Sequence, residues 1–307
     1  MARRRLRAFS FAYPRELLTL ATGPVLHQLD EAPPDESAST EQFVRWTLAR
    51  FRDRTMVLTT SFGMEGCALI DMYARQGGTP TVVYLDTMFF YPETYALRDR
   101  MVQRYPGISF VNRGTSLSPE DQEQRYGAEL WRRNPDLCCS LRKVEPLRQA
   151  LDGVDAWITA ITRSQSQSRS GTPLVAWDWQ FQVLKICPLA TWDRSQIWDY
   201  VRRHDVPFNE LHERGYPTIG CTHCTTAVPG LSPAEYSRAG RWVGTDKTEC
   251  GLHELRVEGR GVEGRESKVE GQRSRVDGRA SRNSGSFRRD SGSFRRDSGS
   301  HRCQSRA

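Results

Sequence analysis

Four cysteines of this chain stand in two tight pairs. Cys138 and Cys139 are adjacent in the stretch NPDLCCSLRKVEPL, and Cys221 and Cys224 form a Cys-x-x-Cys pair in GCTHC. Four thiolates in two pairs suit a tetrahedral metal ion or an iron–sulfur cluster. A disulfide between adjacent cysteines would be strained, because neighbouring Cα atoms lie about 3.8 Å apart and disulfides usually need about 4.4–6.8 Å. Structural zinc sites use pairs spaced by about two to four residues, which the adjacent pair fits poorly. The spacing therefore favours a metal or cluster site.

A fifth cysteine, Cys250, stands apart in the stretch GTDKTECGLHE. It lies between Lys247 and His253, and SRAGRW just before it carries Arg238 and Arg241. Cationic neighbours favour thiolate over thiol and make a cysteine more nucleophilic. A lone cysteine is often incidental, but these cations favour a reactive thiol. The remaining cysteines are predicted to be two core residues and one incidental tail residue, namely Cys67, Cys187 and Cys303.

A serine and glycine turn, TTSFGMEG at 59–66, is predicted to join a strand to a helix. Backbone N–H groups at a helix N-terminus can bind an anion, and glycine allows close approach. Many such turns bind nothing, and neither the Walker A pattern nor the dinucleotide pattern is present here. Asp86 and Thr87 follow the next strand, where Asp86 could contact a ribose or adenine group or could simply cap a turn.

Strand-like and helix-like stretches alternate through the middle of the chain. The four predicted strands are 55–62, 79–87, 107–113 and 155–162. Helices are predicted after residue 62 and from Pro92, which suits a first helical turn. This alternation predicts an α/β fold with a doubly wound, mainly parallel sheet that places ligands at the carboxyl ends of its strands. Further along, 175–189 has a strand-like texture and 191–204 a helical one.

The chain has 307 residues and a formal net charge of +7, but this charge is unevenly distributed. Residues 255–307 contain 14 Lys and Arg against 7 Asp and Glu, so the rest of the chain is neutral. The body therefore carries no general signal for nucleic-acid binding, and any anion affinity must come from local clusters. No apolar run is long enough for a transmembrane helix, and the basic N-terminus is followed by no signal-like apolar stretch. We therefore expect a cytoplasmic protein with reduced cysteines.

Composition divides the chain into three parts. Residues 1–40 end in DEAPPDESAST and are predicted to be a flexible lead-in to a catalytic domain at 41–254. Residues 255–307 repeat SGSFRRD at 284–290 and 291–297 and are predicted to be a disordered basic tail. The alternative for this tail is a weak arm for RNA or other anions.

Taken in order, the motifs resemble those of the assimilatory adenylyl-sulfate (APS) and phosphoadenylyl-sulfate (PAPS) reductases. The resemblance covers about residues 41–254 and rests on the ordered series SFGMEG, LDTMFFYPETY, CCSLRKVEPL, TRSQSQSR, NELHERGYPTIGCTHC, RAGRW and KTECGLH. It implies a doubly wound α/β domain of the adenine nucleotide α-hydrolase-like type, related to the PP-loop ATP pyrophosphatases.

The resemblance also implies roles for particular residues. Cys250 would attack the sulfur of the phosphosulfate, release AMP and become an S-sulfocysteine, which a thiol donor such as thioredoxin would resolve to sulfite. His253 would position the nucleophile or the substrate. Lys143 would lie between substrate and a 4Fe-4S cluster held by Cys138, Cys139, Cys221 and Cys224. Members of the family with these four cysteines prefer APS. The substrate-binding residues implied are Ser61, Phe62, Gly63, Glu65, Asp86, Thr87, Arg163, Arg169, Arg238 and Arg241.

Two departures from the family pattern accompany the resemblance. Gly66 stands where the loop usually has an acid, and the family generally ends soon after ECGLH. The nearest alternative function is PAPS reduction, followed by a PP-loop ATP pyrophosphatase of the tRNA-thiolating type, whose S-G-G-x-D-S loop is replaced here by SFGMEG. A zinc- or cluster-bearing RNA-binding protein that uses the basic tail is the non-enzyme alternative. The sequence leaves the thiol donor and the formation of a homo-oligomer open.

Overall fold

The computed structural model describes residues 32–230, 235–236 and 238–253. The predicted tail at 255–307, with its proposed anion-binding arm, and most of the predicted lead-in lie outside these residues. The helices and strands are, in order, α1 Thr40–Arg50, β1 Met56–Thr60, α2 Met64–Arg75, β2 Thr81–Tyr84, α3 Pro92–Arg104, β3 Phe110–Asn112, α4 Pro119–Tyr126, α5 Leu130–Arg133, α6 Pro135–Cys139, a π-helical turn Ser140–Val144, α7 Glu145–Ala150, β4 Ala156–Thr159, β5 Val175–Asp178, β6 Val183–Ile186 and α8 Arg194–Arg203. Among the described residues, no helix has both the length and the apolar character needed to cross a bilayer.

The strands form one six-stranded sheet in the order β3-β2-β1-β4-β6-β5. All neighbouring pairs are parallel except β5 and β6, which are antiparallel. The chain winds outwards from β1 in one direction and from β4 in the other, so the switch point lies between these two strands. In open parallel sheets a ligand binds beyond the carboxyl ends of the strands at this point. The predicted α/β fold is confirmed.

Each of the four predicted strands contains one observed strand, and α8 confirms the helical stretch at 191–204. The stretch 175–189 is instead two strands, β5 and β6, joined by a tight turn. The turn forms because the Asp178 carboxylate accepts hydrogen bonds from the backbone N–H groups of Gln180 and Phe181, each at 3.1 Å. The strand-like pattern of 175–189 did not indicate this reversal, because it continues through both strands.

The sheet is packed on both faces. Leu58, Ile158 and Leu184 lie in one apolar cluster with residues of α1, α2 and α8. Val57, Trp157 and Val183, from the same strands, lie in a second cluster with residues of α7. Alternate side chains of a strand point to opposite faces, so three central strands supply both cores. This packing holds the β1 and β4 ends rigidly side by side.

Two predicted core cysteines are confirmed. Cys67 on α2 and Cys187 after β6 are almost fully buried free thiols. Burial raises the pKa of Cys67 to about 12 and that of Cys187 to about 12. Neither thiol is set up as a nucleophile, in contrast to Cys250.

Candidate active site

The β1–α2 turn is shaped by Thr60. Its Oγ1 accepts a hydrogen bond of 2.9 Å from the backbone N–H of Phe62, whose φ of 58° is in the left-handed region. The Phe62 ring is buried against Tyr84, at a centroid distance of 5.4 Å, and does not line the cleft below. A Cβ on Gly66 would lie 2.5 Å from Thr60 Oγ1. In this chain, therefore, Thr60 fills the space that a side chain at position 66 would need.

The first turn of α2 carries a buried carboxylate, Glu65. Arg194 donates to Glu65 Oε1 at 3.3 Å and lies 3.3 Å from His212 Nδ1. Burial, together with the positive charge of Arg194, lowers the pKa of His212 to about 4. The imidazole is therefore neutral at physiological pH. Sequence reasoning did not identify the contact with Arg194 or His212, because both are far from Glu65 in the chain, although His212 stands in the motif NELHERGYPTIGCTHC.

The carboxyl end of β2 leads into Asp86 and Thr87. Asp86 Oδ1 accepts hydrogen bonds from the backbone N–H of Met88 at 2.7 Å and from the Tyr95 hydroxyl at 2.9 Å. Of the two interpretations of Asp86, the structure contains the turn cap. Thr87 is buried and faces the cleft, with its Oγ1 3.4 Å from Cys221 Sγ.

The adjacent cysteines lie on a helix with an inserted π turn. Cys138 and Cys139 end α6, and the Glu145 N–H bonds five residues back to Ser140 O. Pro146 has no N–H and cannot continue the regular pattern at this point. π turns inside α-helices are frequent at functional sites. The turn places Arg142 and Lys143 on the segment that follows the cysteines.

The four paired cysteines converge. Cys138, Cys139, Cys221 and Cys224 are all buried and line one small cavity, together with Phe89 and Trp131. All are free thiols, so the adjacent pair forms no disulfide. Burial, aided by the neighbouring cysteines, raises the pKa of Cys138 to about 12 and that of Cys224 to about 11. A metal ion that binds such thiols deprotonates them.

Four cysteines that line one cavity are a donor set that fits a metal ion or an iron–sulfur cluster. Among the described residues, no group of three or more His, Cys, Asp or Glu side chains closes around one metal centre. A zinc ion needs every sulfur at about 2.3 Å from one point. A four-iron cluster bonds each thiolate to a different iron, so the four sulfurs stand further apart.

Arg142 is fixed beside this cavity. It is 1% exposed and donates to Gln122 Oε1 at 2.7 Å, Thr87 O at 2.9 Å and Ser118 O at 3.3 Å. Its guanidinium lies 4.2 Å from the centre of the Phe89 ring. The cavity wall therefore carries a fixed positive charge, which suits an anionic assembly of thiolates.

Cys250 faces the large cleft at the switch point. Burial alone would raise its pKa, but Lys143, a backbone hydrogen bond from Leu252, and Arg169 and Arg241 together lower the pKa below its usual value. Burial by itself would lower the pKa of Lys143, because it disfavours the charged ammonium. The surrounding Cys221, Cys139 and Cys250 raise this pKa instead. Lys143 therefore stays charged between the four-cysteine cavity and the Cys250 thiol.

His253 lies against the floor of the cleft. Its ring stacks on Trp157 at a centroid distance of 5.4 Å, and Lys185 Nζ lies 4.5 Å from the Trp157 ring centre. Lys185 is held by Asp178 at 3.0 Å. Burial and the positive charge of Lys185 lower the pKa of His253 well below its usual range. His253 is thus a neutral ring that can position a neighbour without adding charge.

The arginines divide into those at the cleft and one outside it. Arg169, Arg238 and Arg241 line the cleft. Arg241 Nε donates to Cys224 O at 3.2 Å, and its guanidinium lies 4.4 Å from the Trp242 ring centre. Arg163 is not at the cleft, because it pairs with Glu36 at 2.5 Å and donates to Thr172 O at 2.8 Å.

The structure thus brings ten of the thirteen predicted catalytic and substrate residues into one cleft. The cavity in this cleft has a volume of about 210 Å³. The ten are Ser61, Gly63, Glu65, Thr87, Lys143, Arg169, Arg238, Arg241, Cys250 and His253. The three that do not line it are Phe62, Asp86 and Arg163.

The fold and the cleft define an α/β protein with clustered cations, a thiol of lowered pKa and four convergent cysteines beside the switch point of its sheet. The family model described as the phosphoadenosine phosphosulfate reductase domain matches residues 55–227. A Shouchella clausii relative called adenosine 5'-phosphosulfate reductase is 43% identical over 210 residues, which cover 68% of this chain and 86% of the relative.

Two further relatives agree with this match. Adenosine 5'-phosphosulfate reductase 2 of Bacillus subtilis is 41% identical over 211 residues, which cover 69% of this chain and 88% of that protein. The crystal structure of a PAPS reductase from Candida auris, in a phosphate complex, matches with a TM-score of 0.54 and 30% identity, over 62% of this chain and 91% of the other. The chain belongs to the phosphoadenosine phosphosulfate reductase family.

Proposed function

We propose that this protein reduces adenylyl sulfate to sulfite and AMP in sulfate assimilation, on the way to cysteine. The observation that carries the proposal is the position of Lys143, charged and between the Cys250 thiol and four convergent cysteines. The relatives named as APS reductases support APS as the substrate. A reducing cytoplasm is the compartment that suits these free thiols.

The reaction consists of two displacements. The Cys250 thiolate attacks the sulfur of the phosphosulfate, the bond from sulfur to the bridging oxygen breaks, and AMP leaves with that electron pair. The product is an S-sulfocysteine at Cys250. A thiolate of a dithiol donor such as thioredoxin then attacks the Cys250 sulfur, and sulfite leaves with the electron pair of the broken sulfur–sulfur bond. The second donor thiol breaks the mixed disulfide, so the donor supplies two electrons.

Different residues of the cleft contact different parts of the substrate. Ser61, Gly63, Glu65 and Thr87 face the adenosine end, with Phe62 and Asp86 shaping the loops that carry them. Lys143, Arg169, Arg238 and Arg241 supply the positive charge that holds the phosphosulfate and stabilises the departing phosphate. His253 positions the thiolate or the substrate beside Trp157. Arg163 would act only at a distance, because its partner is Glu36.

The four-cysteine site would hold a 4Fe-4S cluster through Cys138, Cys139, Cys221 and Cys224. When bound, this group supplies structural cross-linking and a local electrostatic field rather than electrons for the reduction. Lys143 and Arg142 flank the site and carry the positive charge that balances the thiolates.

Anaerobic purification with iron and sulfide analysis, followed by an APS-to-sulfite assay, tests this function. We expect iron and sulfide in the wild type, sulfite formation that disappears in Cys250→Ser, and a sulfonated Cys250 peptide by mass spectrometry. Cys67→Ala is the matched control, since Cys67 is buried away from the cleft. Turnover by the Cys250→Ser variant would refute the proposal.

PAPS is the alternative substrate, because the Candida auris relative bears that name. Competition between APS and PAPS on the purified protein separates the two. A higher kcat/KM for PAPS would move the assignment to PAPS reduction, while AMP release from ATP without sulfite would point to a PP-loop pyrophosphatase.

A further inference from the structure

Glu249, the residue before the nucleophile, has an unusually well satisfied side chain. Its carboxylate accepts five hydrogen bonds, from Ser166 Oγ at 2.9 Å, Ser168 Oγ at 3.0 Å, Arg169 Nε at 3.2 Å, Arg169 Nη2 at 2.8 Å and Arg238 Nη2 at 3.3 Å. Only 15% of the side chain is exposed. Hydrogen bonds from charged donors are about twice as strong as neutral ones, and two parallel bonds from one arginine also fix the geometry. Glu249 is therefore anchored in direction as well as in position.

These bonds join separate parts of the chain. Ser166, Ser168 and Arg169 lie in the loop that follows β4, and Arg238 lies in the stretch before the nucleophile. Cys250 and Leu252 of this segment pack against apolar clusters, and Lys247 pairs with Asp136. Charge-assisted bonds to Glu249 add an attachment to the loop that follows β4.

The backbone around Cys250 is tied on both sides. Arg238 Nη2 donates to Thr248 O at 2.8 Å, and Gln180 Nε2 donates to Gly251 O at 3.0 Å. Burial raises the pKa of Glu249, but Arg169, Arg238 and Ser166 outweigh it, so the net pKa is lowered. The carboxylate is thus ionised when Cys250 lies in the cleft.

Arg169 has all three of its nitrogens occupied by side chains. Nε and Nη2 donate to Glu249, and Nη1 donates to Gln165 Oε1. Two of its five N–H groups remain free of these bonds. Arg169 also lies near the Cys250 thiol, as Lys143 and Arg241 do. Arg169 and Arg238 therefore link Glu249 to the cleft that the thiol faces.

We propose that Glu249 is a positioning residue, which anchors the Cys250 segment in the cleft through Arg169 and Arg238. The inference rests on the proposed role of Cys250 as nucleophile.

Hydrogen–deuterium exchange of the full-length protein with its cluster, without substrate, tests the anchor. In Glu249→Gln we expect amides of the peptide covering 244–253 to exchange about tenfold faster or more, because the bonds from charged donors weaken. Glu249→Asp keeps the charge but shortens the side chain by one methylene. Its exchange rate should fall between those of the wild type and Glu249→Gln. Asp246→Asn is the matched control, an exposed carboxylate of the same segment, and should leave exchange unchanged.

Peptides of β1 and α2 in the same samples report whether a variant is folded. Faster exchange confined to 244–253 supports the anchor. Equal exchange in wild type, Glu249→Gln and Asp246→Asn would overturn it, and Glu249→Asp provides the same comparison should the glutamine variant unfold.

Single-turnover kinetics separate anchoring from substrate binding. We expect Glu249→Gln to slow S-sulfocysteine formation at saturating APS by about tenfold or more, with little change in APS affinity. Release of sulfite from preformed adduct by thioredoxin should not slow, because the proposed anchor acts on the attack of Cys250 on APS. Weaker APS affinity with an unchanged saturating rate would instead assign Glu249 to substrate binding and overturn the positioning role. A wild type that forms no adduct would refute the proposed function, while the exchange result would still decide the anchor.

Discussion

The contact between Thr60 and Gly66 can be tested as a double-mutant cycle. A Cβ added at position 66 would lie 2.5 Å from Thr60 Oγ1 and 3.4 Å from Thr60 Cβ. Replacing glycine by alanine inside a helix ordinarily stabilises by about 1 kcal/mol. Overpacking costs about 1–3 kcal/mol. Gly66→Ala should therefore destabilise the wild type by about 1 kcal/mol net.

The effect of Gly66→Ala on stability should change sign when Thr60 is also replaced. Thr60→Ala removes the oxygen that causes the clash, and costs about 1 kcal/mol by leaving the Phe62 N–H without its partner. In that background Gly66→Ala should stabilise by about 1 kcal/mol through helix propensity. The coupling free energy between the two positions is then about 2 kcal/mol, the difference between those two effects.

Guanidinium chloride unfolding, followed by tryptophan fluorescence and circular dichroism, measures all four proteins. Gly171→Ala is the control, since a Cβ there has no neighbour within 4 Å, and it should change stability by less than about 0.5 kcal/mol. Additivity of Thr60→Ala and Gly66→Ala within about 0.5 kcal/mol would refute the reasoning. Glycine at position 66 would then need an explanation in substrate binding instead.

Two further predictions follow from the side-chain partners. Arg163→Gln should change kcat/KM for APS by less than about threefold, whereas Arg241→Gln, which removes a cation facing the thiol, should lower it by about 10²-fold or more; equal losses would return Arg163 to the substrate site. The folded-state pKa of His212, lowered from 6.5 to about 4 by burial and Arg194, means that the unfolded chain binds the extra proton first as pH falls. The stabilisation that neutral His212 contributes to the free energy of unfolding is therefore complete above pH 6.5. It falls by roughly 3 kcal/mol as the pH is lowered to about 4. Unfolding free energies of wild type and His212→Gln across that range should differ in slope, and parallel curves would contradict the assignment.

Local patterns were enough for much of the fold and for the identity of the thiols. β-rich runs alternating with helical stretches predicted a parallel sheet, and the Cys138–Cys139 and Cys221–Cys224 pairs predicted a four-thiol site. Both depend on residues close together in the chain, where spacing restricts geometry. The reversal between β5 and β6 depended on one capping carboxylate, Asp178, within an apolar stretch, and texture alone could not indicate it.

Charge partners were not predictable in the same way. Asp86 caps a turn, Arg163 pairs with Glu36, and Arg169 pairs with Glu249. The family resemblance implies a substrate role for each of these residues. A side chain's type says which partners it accepts, but not which partner the folded chain brings within about 3 Å.

By itself the sequence determined which residues can perform the chemistry: a cysteine among cations, two cysteine pairs, and a turn at the end of a buried strand. Only the tertiary structure decided which of them share a cleft and which cations are already neutralised. The physical reason is that the kind of chemistry a side chain can perform is a property of its own functional group. Its pKa, burial and ion pairing depend on its neighbours. Those neighbours are as far apart in the chain as Arg169 and Glu249, and the packing of the sheet and its loops alone brings them together.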